Sequence, residues 1–209
     1  MPNLRAQILE NICHAYPENF EGLEPSKTLG ENVFSGSKPH PNAVLNLFVQ
    51  QKVTSALPMA YYMAARRGLD SLMDSRFQSG ATLSGQTLKF AMRGLMTLRE
   101  MELKEMHRII FTFKGTANWT TCSTKHCPSR SSKGLSDVGI MQAHQRVFDR
   151  ITGSVAGGTR ILQVLSANEV AGDGDLEFCL ICREMMEVAH ADVRRKAWIA
   201  LPGMFGLKV

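Results

Sequence analysis

No stretch of this chain is apolar for long enough to cross a membrane as a helix. The longest mostly apolar run, Leu57 to Ala65, falls far short of the roughly 18 residues required. The opening of the chain lacks a basic region followed by an apolar one, the mark of a secretory signal. Strict alternation of apolar and polar residues is missing as well, so half-buried strands are not expected. There is no H-E-x-x-H and no G-x-S-x-G, which argues against a zinc protease helix and a hydrolase elbow. The Gly-rich passage Gly153-Ser154-Val155-Ala156-Gly157-Gly158-Thr159 lacks the Gly-Lys-Ser/Thr ending of a phosphate cradle and reads as a connection. The histidines, His14, His40, His107, His126, His144 and His190, are scattered, and acidic residues stand singly on expected helix faces. No catalytic residue is nominated, and a non-enzymatic protein is expected.

What the chain does have is a globular composition: 209 residues, 44% of them hydrophobic, enough for one ordinary domain or two small ones. The formal net charge is +5, and the excess is central, +4 over residues 51–100 and +4 over 101–150. It is diluted along the chain without clustered arginines or interleaved aromatics, so a solvated surface fits better than a groove tracking nucleic acid. Five cysteines, an odd number, argue against a disulfide framework and for a reducing compartment, cytoplasm or nucleus.

Helical periodicity dominates, and the expected class is mainly α, a helical domain with long irregular loops. Leu4, Ile8, Leu9, Ile12 and Tyr16 form one face of a helix over 4–16, followed by a long connection from Pro17 to Pro41. A helix from Pro41 presents Val44, Leu47, Phe48 and Gln51. Thr54 is the expected cap of the next, with Pro58 in its first turn, Leu57, Tyr61, Ala64 and Ala65 inward, Arg66 and Arg67 in its last turn, and an end at Gly68. After a short turn at Leu69 to Met73, Ser84 caps the longest helix, about 85–112, with Leu88, Met92, Leu95, Leu103, Met106, Ile110 and Phe113 inward. Residues 114–134 have loop chemistry, and helices are expected over 137–151 and 159–167. The last, 180–200, presents Cys182, Met185, Met186, Ala189, Val193 and Ala197 and breaks at Pro202 and Gly203. Arg194, Arg195 and Lys196 are expected to face water in its last turn. Trp198, Leu201 and Phe205 are expected to form an apolar cluster sealing the carboxy terminus, the alternative being a Trp198 exposed to anchor a partner. The expected division is a helical region, 1–113, and a second, 114–209, carrying the cysteine loop and the last helices.

Cys122-x4-Cys127 lies in the polar loop and Cys179-x2-Cys182 opens the last helix. Four thiolates in two short-spaced pairs suit a tetrahedral Zn2+ site that would clamp two remote segments into a small C-terminal part. Two other readings stand beside it: reduced loop and core cysteines, and a redox pair in which the helix dipole favours the thiolate of Cys179.

Several short motifs carry a resemblance. Pro41-Asn42-Ala43-Val44-Leu45-Asn46-Leu47-Phe48, followed by Ala56-Leu57-Pro58-Met59-Ala60-Tyr61-Tyr62, resembles a passage of fungal BTB/POZ-domain proteins, where a helix ending the BTB region leads into an "LPxAxY" helix. Cys179-Leu180-Ile181-Cys182, then Arg195-Lys196-Ala197-Trp198-Ile199-Ala200-Leu201-Pro202 and Phe205-Gly206-Leu207, is similar to that family's closing pattern. Leu4 to Phe20, with Tyr16-Pro17, resembles its last BTB helix, and Cys122 and Cys127 fall where such chains often carry a cysteine pair. The resemblance implies a carboxy-terminal fragment of such a protein, without the BTB core. The BTB fold mediates homodimerisation and partner binding, in some families to a cullin scaffold, so an adaptor is implied. The expected function is a protein-protein interaction module, self-associating through the 4–16 helix or holding a protein partner, with no membrane and no small-molecule substrate. Two other readings are a zinc-stabilised nucleic-acid or chromatin module using the basic central segment, and a thiol redox protein.

Overall fold

The structure, a computed structural model, describes residues 7, 10–12, 16–17, 19–23, 39–73, 82–111, 145–146, 148–149, 152, 159, 161–162 and 180–207. Among these the chain is mainly helical and contains no strand. After a short 3-10 turn, Phe20–Leu23, come α1 (Pro41–Gln51), α2 (Leu57–Ala65), α3 (Leu69–Met73), α4 (Gly85–Phe111) and α5 (Leu180–Met204). The helix expected over 4–16 is helical at positions 7 and 10–12 but not at Tyr16, which lies in a bend, and that expected over 137–151 is helical at 145–146 and 148–149. Of the segment expected to be helical over 159–167, Ile161 and Leu162 form a turn. The chain divides into two compact units: Met1–Leu98 with Ala156–Thr159 and Trp198–Val209, and Arg99–Val155 with Arg160–Ala197.

In the first unit, α2 is the central element. Met59, Ala60, Tyr61, Tyr62, Ala64 and Ala65 are all buried, so it is enclosed on nearly every side rather than on the single face its spacing suggested. Its start departs from expectation as well. Thr54 does not cap it; Ala56 does, with no side-chain hydrogen bond. A cap at Thr54 would require an amide from Pro58 to bond its carbonyl, and proline has none. A start at Leu57 places Pro58 among the donors that are free in any case. The helix stops at Ala65 rather than Gly68, which leaves Arg66 as its closing residue.

Helix α1 lies against α2 with Asn42, Val44, Leu45 and Phe48 buried. Leu47 and Gln51, expected on that face, are half-buried. The helix is rotated toward its asparagines because both find carbonyls: Asn42 Nδ2 donates to Ser71 O at 3.0 Å and Asn46 Nδ2 to Thr82 O at 2.8 Å. Such bonds satisfy polar groups near a core and fix which way the helix turns. Ser84 is the cap of α4, accepting from the Thr87 amide at 3.2 Å.

The buried face of α4 follows Thr87, Ala91, Leu95 and Leu98 and continues through Glu102, Met106, Ile109 and Ile110. Leu103, expected inward, is exposed, and Phe113 lies outside the described residues. The displaced position is filled by a charge pair in the second unit: Arg99 Nη1 donates to Glu102 Oε2 at 2.9 Å and to Thr152 O at 2.6 Å. The carboxylate, 2% exposed, is tolerable inside because the guanidinium beside it compensates its lost hydration. Arg194 likewise turns inward instead of facing water, its Nε donating to Leu162 O at 3.0 Å, while Arg195 and Lys196 remain exposed. Met186, His190, Val193 and Ala197 share the buried face of α5. Breaking the pair should be costly: Arg99→Met is expected to lower unfolding free energy by about 3 kcal/mol, and Arg99→Met with Glu102→Leu by clearly less. Urea titrations of the two variants check this.

Candidate functional site

The last turn of α5 continues past the proline expected to break it. Pro202 removes one amide donor, yet Phe205 N still donates to Leu201 O at 3.2 Å, and the end is closed by a Schellman motif. In that motif Leu207 N donates to Pro202 O at 2.8 Å and Gly206 N to Gly203 O at 3.0 Å, with Gly206 in the left-handed region at φ 70°. A side chain is strained there, which is why glycine closes the helix.

Phe205 anchors this end. It is fully buried, and its ring stacks on Tyr61 of α2 with centroids 5.1 Å apart and planes at 22°. An edge of the same ring occupies the space a Cβ would need at Gly94 of α4. Leu201 is buried to 1% exposure, whereas Trp198 is half-buried, its indole meeting the Phe20 ring edge-on at 6.5 Å. Of the three residues expected to cluster, Leu201 and Phe205 thus lie in the core and Trp198 stands at its border.

That border is the wall of a cavity of about 560 Å3, lined by Pro17, Thr54, Ser55, Leu57, Pro58, Met59, Trp198, Leu201, Pro202 and Leu207. The two helix ends build it. The start of α2, capped at Ala56 without a side-chain hydrogen bond, places Thr54 and Ser55 at one side, and the Schellman motif places Leu207 beside Pro202 at the other. None of these lining residues is ionisable. Among the described lining residues there is thus no acid, base or charged ligand; apolar residues predominate, with Thr54, Ser55 and Trp198 the ones that carry a polar side-chain group. Its size lies within the range of pockets that take a small molecule or a few side chains. Next to Pro17, the Tyr16 phenol is buried and its pKa is pushed up to about 12 by desolvation; its ring packs edge-on against Phe48 at 5.3 Å. Burial also raises the pKa of Tyr61, against a smaller opposing effect of its hydrogen bond with Thr87.

Of the four cysteines considered for Zn2+, Cys122, Cys127 and Cys179 lie outside the described residues, while Cys182 sits in the first turn of α5 with its side chain likewise outside them. Among the described residues no three His, Cys, Asp or Glu side chains converge, and no helix is long and apolar enough to cross a membrane. Pro17, Thr54, Ser55, Leu57, Pro58, Met59, Pro202 and Leu207 carry no mark in the sequence that makes them site residues. The one signal is the placement of a proline in the first turn of one helix and the last turn of another. Comparison with family models, curated proteins and solved structures gives no match.

The packing around Phe205 and Tyr16 can be probed at each residue. Gly94→Ala should lower stability by about 1–3 kcal/mol, although alanine favours helix, because the added methyl meets the Phe205 ring; thermal unfolding reads it. Tyr16 has a folded pKa above its unfolded value of 10, so its contribution is intact below pH 10 and is lost as the pH rises toward 12. Unfolding free energy should fall across that window, and less steeply in Tyr16→Phe.

Proposed function

We propose that this chain is a non-enzymatic protein-protein interaction module in which the cavity beside Trp198 receives an uncharged, apolar side chain of a protein partner. The observation that carries this reading is the described lining: a half-buried tryptophan, three prolines and four aliphatic or thioether side chains, with no ionisable group among the described lining residues. Burying a charged side chain there would leave its desolvation uncompensated, whereas an apolar one loses only unfavourable contact with water. Prolines and a tightly closed helix end keep the walls preformed, so little conformational entropy is lost on binding. Tryptophan at such a border is the residue type most enriched at binding hot spots. The resemblance of the flanking motifs to the carboxy-terminal part of fungal BTB/POZ proteins supports the same reading, with an adaptor role as its finer form.

Selection of a random peptide library on the full chain tests it. The enriched peptides are expected to share a large apolar residue without adjacent charge, and to lose roughly tenfold or more in affinity against Trp198→Ala. Met96→Ser, at an exposed position outside the lining, should leave them bound. Circular dichroism confirms that each variant folds. No enriched set, or peptides bound equally well by Trp198→Ala and Leu57→Ala, would contradict the reading.

A further inference from the structure

The first turn of a helix leaves backbone amides without an acceptor inside the helix, and a serine, threonine, aspartate or asparagine ahead of it commonly supplies one. At the start of α4 that acceptor is the Ser84 hydroxyl, which takes the Thr87 amide. At the start of α1 it is an imidazole. His40 is the cap, with extended backbone at φ −64° and ψ 131°, and its Nδ1 accepts from the Asn42 amide at 3.3 Å. A backbone amide can only donate, so Nδ1 carries no proton in this arrangement and the ring is the neutral tautomer protonated at Nε2. The Nε2 edge is buried.

A proton added at Nδ1 removes the acceptor and sets a cation against the positive end of the α1 dipole. Burial of the opposite ring edge withholds water from that cation and adds to its cost. The neighbouring elements offer little in return. Helix α1 has no charged side chain, and Lys52 stands at its far end. Helix α2, packed on it, has Tyr61 and Tyr62, neutral in this pH range, and is followed by Arg66 and Arg67, which oppose a second cation. Tyr16, against Phe48 two turns further along α1, is neutral as well. Asn46 reaches Thr82 ahead of α4, whose first charged residue, Lys89, is exposed. Asp70 is the one carboxylate of α3, and it is exposed, where an ion pair is worth little.

We propose that His40 is a pH-sensitive latch on the start of α1. Neutral, it holds the first turn; protonated, it releases that turn together with the Asn42 bond to Ser71 O that ties α1 to α3. The contribution of the cap is present above the ordinary histidine range, near pH 6.5, and is lost as the pH falls through it. The Ser84 hydroxyl does not titrate, so the start of α4 keeps its cap under the same conditions.

Amide hydrogen exchange of the full chain, followed by NMR between about pH 7.5 and pH 5 and expressed as protection factors, tests it. Protection of the Asn42 amide is expected to fall roughly tenfold across that interval, the size implied by losing a cap and gaining a repelled cation. The Thr87 amide at the start of α4 should keep its protection. His40→Asn retains a capping acceptor that does not titrate here, so Asn42 should stay protected throughout. His40→Ala should leave Asn42 poorly protected at both ends of the interval. Circular dichroism confirms that each variant folds, and the comparison of Asn42 with Thr87 in the parent chain needs no variant. Constant protection of Asn42 in the parent, an equal fall at Thr87, or a fall at Asn42 that persists in His40→Asn would each overturn the proposal.

Discussion

The seating of Phe205 against Gly94 and Tyr61 is the contact on which the first unit's architecture depends. A phenylalanine ring can enter α4 at that point only because residue 94 has no side chain, and it stacks on Tyr61 at 5.1 Å. The stacked, buried pair joins the end of α5 to the central helix of the unit. Directly after Phe205 the chain turns out of the helix, which Gly206 allows through a backbone conformation that other residues adopt at a cost. Pro202, Leu201 and Leu207 are then carried to the cavity wall as a consequence.

The second constraint is polar. Glu102 and Arg194 are charged residues in buried positions, and each is held by a specific partner, Arg99 in one case and the Leu162 carbonyl in the other. Asn42 and Asn46 perform a related task in the first unit by reaching the Ser71 and Thr82 carbonyls. These bonds add modestly to stability compared with apolar burial, but their removal leaves buried groups exposed to the full desolvation cost. They therefore select one rotation of each helix among several that would bury similar apolar area.

Those polar contacts also explain where sequence reasoning succeeds and where it fails. Helix positions are legible because periodicity and caps are local: Pro41 opens α1, Ser84 caps α4, and Leu69–Met73 is a short helix of its own. Which face turns inward is less legible, because a periodic pattern counts Leu103 as apolar and cannot register that Arg99 makes Glu102 acceptable beside it. A local reading sends Arg194 to water for the same reason, since its partner Leu162 is 32 residues away. The cavity is illegible as a site: its residues come from distant parts of the chain, and only their packing brings Pro58 near Pro202. Trp198, Leu201 and Phe205 stand out because a tryptophan and a phenylalanine flanking a proline at a helix end are conspicuous in one dimension.

Native-state hydrogen exchange at the end of α5 tests the central claim most directly. If Phe205 locks this end to α2 and α4, the amides of Phe205, Gly206 and Leu207, which bond to Leu201, Gly203 and Pro202, should exchange only through the opening that exposes the amides of Tyr62 and Ala65 in α2. Chain ends without such an anchor fray with almost no free-energy cost. Matching protection at the two places, lost together in Phe205→Ala, is the result this account predicts; rapid exchange at 205–207 while α2 stays protected would contradict it.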